Sequence, residues 1–108
     1  AGISSDKLTT IATGFDPARF HPGLDASPLR KELGIPAGAQ VVLNVGMIRS
    51  DKGQRFLVEA AEELIRRGHD CYFVIVGRAA ANRDVEVRLR EQVRKAGLES
   101  RVLLTGYR

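Results

Sequence analysis

From Gln40 onward the chain alternates short apolar runs with amphipathic stretches, and no other feature of the sequence restricts its fold as strongly. Val41-Val42-Leu43-Asn44-Val45 is apolar on both faces apart from Asn44, which predicts a central parallel strand covered by helices on both sides. Phe56, Leu57, Ala60, Ala61, Leu64 and Ile65 recur at helical spacing, with Ser50 or Asp51 as the cap and Gly68 as the terminator. Cys71-Tyr72-Phe73-Val74-Ile75-Val76 reads as a second buried strand. Val85, Leu89, Val93 and Ala96 mark a second helix that starts near Asn82 or Asp84 and closes at Gly97, and Arg101-Val102-Leu103-Leu104-Thr105 is a third strand. The order βαβαβ with right-handed crossovers predicts three parallel strands. The expected fold class is therefore α/β: a Rossmann-like half of a doubly wound parallel sheet of three-layer type, with its ligand crevice at the carboxyl ends of the strands.

Residues 1–38 follow a different pattern. Lys7-Leu8-Thr9-Thr10-Ile11-Ala12 alternates and is rich in β-branched residues, which predicts a short strand. Thr13-Gly14-Phe15-Asp16-Pro17 breaks it. Ser27, Pro28 and Gly34 supply the cap, first-turn proline and terminal glycine of a two-turn helix with Leu29 and Leu33 on one apolar edge. With 108 residues the chain can hold one small core. The expected organisation is an entry or linker segment over 1–38 and a half-domain over 39–108.

Charge narrows the function. The net charge is +4, and the excess lies wholly beyond residue 38, where thirteen Lys or Arg face nine Asp or Glu. An arginine-rich excess suits ligands with oxyanion faces, phosphate above all, because a guanidinium donates to two oxygens at once. Aromatic content of 6% with no Trp argues against a nucleic-acid surface, which adds stacking platforms. Cys71 stands alone, so neither a disulfide framework nor a cysteine metal site is expected. His21 and His69 lie far apart in turns with no Cys partner and are read as solvent-facing. Glu59, Glu62 and Glu63 are read as the solvated face of the first long helix, not as an acid–base pair. No apolar run approaches the roughly 18 residues that span a bilayer and the first residues lack a signal-peptide core, so a soluble, cytoplasmic chain is expected.

Each predicted strand is followed at once by a glycine: Gly46, Gly77 and Gly106. Glycines there serve either tight chain reversal or close backbone approach to a ligand, and three in register favour the ligand. Gly46-Met47-Ile48-Arg49-Ser50-Asp51-Lys52-Gly53 carries the chemistry. It is neither a P-loop nor G-x-G-x-x-G. It places Arg49 and Lys52 beside a helix amino terminus, whose free N–H groups and dipole favour an anion, and two cations with a helix terminus suit a diphosphate. The competing reading makes both cations solvated loop charges, with Asp51 as a partner.

The same loop, continued through Gln54-Arg55-Phe56-Leu57-Val58-Glu59-Ala60, resembles the V-G-x-L-R-x-x-K-G-x-x-x-L-x-x-A segment of the family 4 glycosyltransferases of GT-B fold. Thr13-Gly14-Phe15-Asp16-Pro17-Ala18-Arg19-Phe20 is similar to that family's N-G-V-D-x-x-x-F, where the chain crosses from the acceptor to the donor domain. Val74-Ile75-Val76-Gly77 is similar to L-x-I-V-G, and Val102-Leu103-Leu104-Thr105-Gly106-Tyr107 to V-x-F-L-G-Y. The resemblance implies a donor diphosphate held by Lys52 and Arg49 between Gly46 and Gly53, with Gly77, Gly106, Tyr107 and Arg108 bordering the nucleotide. Many members carry the arginine directly after the first glycine, where this chain has Met47; Arg49 matches the variant with arginine three positions before the lysine. Arg78 stands where many relatives have Asp.

The resemblance further implies a retaining, metal-independent transfer of a hexosyl group from a nucleotide-diphosphate sugar to a sugar, lipid or small-molecule acceptor, by a parent enzyme able to attach peripherally to a membrane. The family's E-x7-E motif and glycine-rich donor loop lie downstream of its Gly-Tyr segment, so no catalytic residue is assigned within these 108 residues and the segment is expected to be inactive alone. The alternative is a non-catalytic nucleotide- or phosphate-binding module of the same architecture. A flavodoxin-like signalling domain, with its acidic strand ends, fits less well, because Arg49, Lys52 and Arg78 stand there. A half-sheet with an open edge is also expected to pair or swap strands with a second copy.

Overall fold

A computed structural model describes residues 2–108. Three parallel strands, β1 (Gln40–Val45), β2 (Cys71–Val76) and β3 (Val102–Gly106), form one sheet in the order β1-β2-β3. The helices are α1 (Ser27–Glu32), α2 (Gln54–Arg66) and α3 (Asp84–Lys95). The Rossmann-like half-sheet expected from the alternation is present. β1 pairs with β2 in unbroken register from Gln40 with Cys71 to Val45 with Val76. β3 pairs with β2 from Phe73 with Val102, and the register shifts between Ile75 and Val76 so that Val76 faces Gly106.

The central strand is β2 and not β1. Cys71, Phe73 and Ile75 point one way into the larger cluster with Ile48, Val58, Ala61, Leu89, Val93, Leu98 and Val102. Val74 turns the other way, onto Ile35 and Ala39 with Leu33, Val41 and Leu103 beside them. Burying a side chain the size of Phe73 or Ile75 contributes about 2 to 3 kcal/mol each. β1 lies at an edge, and its Val42, Leu43 and Val45 are exposed. Leu43 and Val45 sit opposite Val74 and Val76 in the register, on the face that α2 and α3 do not cover. An apolar run reports that a strand can be buried on both faces; it does not say which neighbour covers it.

The stripe on α2 also shifts. Its inward positions are Gln54, Leu57, Val58, Ala61, Leu64 and Ile65, the i, i+3, i+4, i+7 set of a helix. Phe56, expected in the core, is 54% exposed and lies beneath the Arg55 guanidinium at 4.4 Å; Ala60 is exposed too. The cap expected at Ser50 or Asp51 is absent. Ser50–Lys52 forms a 3-10 turn and Gly53, at φ 74°, is the residue before the helix, with no side-chain cap. Gly68 and Gly97 terminate α2 and α3 at positive φ as expected. Tyr72 is half-buried beneath Arg101 at 4.6 Å instead of fully enclosed.

No strand forms over 7–12. Ser5–Lys7 is a 3-10 turn, and Leu8 and Ile11 are exposed. The β-branched alternation has no partner strand to take its N–H and C=O groups, and strand preference without pairing does not hold a strand. α1 starts one residue earlier than expected: Ser27, the expected cap, is its first residue and Ala26 stands at the cap, with the Ser27 N–H bonded at 2.9 Å to the Asp25 carboxylate. Gly34, at φ 70°, ends it, and Arg30 Nη1 donates to the Ala39 carbonyl at 2.8 Å, closing the connector into β1. Among the described residues no helix is long and apolar enough to cross a membrane.

Candidate functional site

All three glycines sit where the sheet ends. Gly46 N–H donates to Val76 O at 2.9 Å and Gly77 N–H donates to Gly106 O at 2.9 Å, so the strand ends are tied together from β1 through β2 to β3. A Cβ on Gly77 would stand 1.8 Å from the Gly46 carbonyl oxygen, and its φ is 151°. Glycine at 77 is thus required by the contact between strand ends. Gly46 and Gly106 have open space where a Cβ would go.

Beyond Gly46 the loop stays bound to its neighbour. Ile48 N–H donates to Arg78 O at 3.0 Å, and Ile48 is buried in the larger cluster. Gln54, only 2% exposed, donates from Nε2 to the Met47 carbonyl at 3.0 Å while its Oε1 has no partner. These anchors fix both ends of the segment that carries the two cations. Arg49 Nε pairs with Asp51 Oδ1 at 3.0 Å on the surface, the partner that the competing reading gave it. Lys52 is exposed and has no carboxylate within 4 Å among the described residues. It precedes the uncapped start of α2, where the first amides have no intrahelical acceptor. A free ammonium beside unfilled N–H donors is a site for an anion.

A crevice of about 370 Å³ opens at the ends of β2 and β3 between Gly77, Arg78, Ala79, Arg83, Glu86 and Gly106. Tyr107 is exposed, with the Arg78 guanidinium 5.9 Å from its ring centre. Arg108 Nη2 donates to Glu32 at 2.6 Å, tying the end of β3 to α1, and that hydrogen bond with the arginine's charge holds the Glu32 carboxyl below its usual range. Glu63 pairs with Arg66 and Arg67 on the outer side of α2.

Glu86 escaped the sequence reading. It is 8% exposed, with Arg90 donating from Nε and Nη2 to Oε1 at 3.1 and 3.0 Å and Arg83 to Oε2 at 3.3 Å. Burial pushes its carboxyl up, and the bonds and charges of Arg90 and Arg83 outweigh that, so it lies below the usual range and is ionised at neutral pH. Its spacing was the available signal: Glu86, Leu89 and Val93 form one i, i+3, i+7 stripe, and a carboxylate at a core-facing position calls for an explanation.

Residues 25–108 match the family model described as Glycosyl transferases group 1. The chain is 45% identical over 67 residues to an alpha-D-kanosaminyltransferase of Streptomyces kanamyceticus, which spans 62% of this chain and 16% of that protein. It is 32% identical over 108 residues to a 2-deoxystreptamine glucosyltransferase of the same organism, covering 98% of this chain and 27% of that one. The crystal structure of Anabaena Alr3699/HepE in complex with UDP and glucose superposes with a TM-score of 0.80 at 30% identity, over 99% of this chain and 28% of that one. The chain thus spans less than a third of the length of the curated relatives it matches.

Proposed function

Given that the chain belongs to the group 1 glycosyl transferases, we propose that it supplies part of the donor diphosphate site of an enzyme moving a hexosyl group from a nucleotide-diphosphate sugar, with retention, to a sugar, lipid or small-molecule acceptor. In this reading residues 1–38 lead in from the acceptor side and 39–108 form the first half of the donor domain. The observation that carries it is the unpaired Lys52 at the uncapped start of α2. Lys52, with Arg49 released from Asp51, stabilises the charge that develops on the departing diphosphate. Fixed cations aimed at a leaving group lower the barrier because they act where charge appears, without reorganising. The charge is met by side chains and a helix terminus, so the proposal needs no metal. Gly46 and Gly53 keep the backbone free of side chains on either side of the cations, and Gly77, Gly106, Tyr107 and Arg108 border the nucleoside. The UDP and glucose held by the Anabaena structure support this class of donor.

Calorimetric titration of the complete product of the gene encoding residues 1–108 tests the reading. UDP, GDP or ADP should bind while NAD does not. Binding of NAD in preference to all three would point instead to a dinucleotide module without transfer chemistry.

A further inference from the structure

The crevice at the ends of β2 and β3 holds a group that the diphosphate site does not use. Among the described residues Glu86 is the only acidic one lining it, beside Gly77, Gly106, three alanines, Arg78 and Arg83. An apolar side chain at 86 would complete the buried stripe of α3 with Leu89 and Val93, yet a carboxylate stands there, at the desolvation cost of an enclosed charge. Its two oxygens are not equally engaged. Oε1 receives two N–H groups from Arg90. Oε2 receives one long bond of 3.3 Å from Arg83, whose side chain is 76% exposed. A carboxylate oxygen accepts two hydrogen bonds, so Oε2 has room for a further donor, and its present partner is a surface arginine free to turn away.

We infer that Glu86 reads the nucleoside of the donor, accepting at Oε2 one hydrogen bond from a ribose hydroxyl or a base N–H. The inference rests on the reading of the chain as part of a nucleotide-sugar site. Its chemistry is selective in two ways. An ionised carboxylate is an acceptor only, so it rewards a ligand donor and repels a phosphate, which directs the diphosphate to Lys52 and the neutral nucleoside to the crevice. A buried polar site built for a donor also rejects the analogue that lacks it, because the acceptor is then left unfilled. Arg90 acts as a positioning residue that fixes the carboxylate through Oε1.

The test uses the complete gene product and whichever of UDP, GDP and ADP it binds most tightly, beside the 2′-deoxy, 3′-deoxy and base N-methyl forms of that nucleotide. One of these analogues should bind the wild type roughly tenfold more weakly than the parent nucleotide, the order expected of one charged hydrogen bond. In Glu86→Gln, checked for an unchanged circular dichroism spectrum, the parent nucleotide should weaken and its advantage over that analogue should shrink several-fold, because the amide oxygen still accepts but carries no charge. Loss with a deoxy form assigns the ribose, and loss with the methylated form assigns the base. If the wild type binds all the analogues as tightly as the parent, the inference is overturned whether or not Glu86→Gln folds. Tight nucleotide binding that Glu86→Gln leaves intact would overturn it alone, while no binding of any nucleotide by the wild type would overturn the functional reading as well.

Discussion

Gly77 shows how differently residues of one type can be constrained. The sequence places a glycine after each strand and leaves open whether chain reversal or a ligand requires it. The structure separates them: only at 77 would a Cβ meet backbone, 1.8 Å from the Gly46 carbonyl oxygen. Gly77→Ala should therefore destabilise the fold by about 3 kcal/mol, combining a strained φ with a clash that the paired strand ends cannot relieve. Urea denaturation would read this as a lowered midpoint, and a midpoint equal to wild type would show that the strand ends are not packed as described. Lys52 and Arg49 could be picked out because cations beside a helix start are a local pattern. Gln54 and Glu86 could not, since the value of a buried polar group depends on partners such as the Met47 carbonyl and the Arg90 guanidinium, which burial and not adjacency brings into reach.

At the scale of elements, the three strands and two long helices were legible because short continuous apolar runs alternate with longer stretches whose apolar residues recur every 3.6 positions. The error on α2 was one of phase. Phe56 looks like a core residue by type, but the helix turns it outward and Val58 inward. Val58→Ala should cost about 2 kcal/mol, since Val58 is fully enclosed, and Phe56→Ala under about 1 kcal/mol despite deleting a larger side chain. Thermal denaturation of the two variants would show the order directly, and the reverse order would restore Phe56 to the core. The strand expected over 7–12 failed for a related reason: alternation describes a surface fit to be packed, and Leu8 and Ile11 have nothing to pack on. The start of α2 was misplaced because Ser50 and Asp51, good caps by type, are used in a 3-10 turn that ends in a left-handed glycine.

For the whole molecule, the radius of gyration is 17.8 Å, against about 13 Å for a compact domain of this length, because residues 2–29 are exposed along their whole course. β1 leaves one edge unpaired, with Leu43 and Val45 exposed on the uncovered face. Such an edge pairs with another chain unless it is blocked. The 108-residue chain should accordingly sediment faster as its concentration rises, and Val45→Lys should suppress this; a wild-type coefficient independent of concentration would show that the edge is inert. The four motif segments were legible together because they are spread along the chain in order, from Thr13 to Tyr107. The most direct test of the diphosphate site is steady-state sugar transfer by the complete gene product and its Lys52→Ala variant. Lys52 is exposed, so its removal should leave the melting temperature unchanged while turnover falls by about 10² to 10³, the cost of losing one fixed stabiliser of developing charge. Equal turnover in the folded variant would contradict the assignment of Lys52 to the leaving diphosphate.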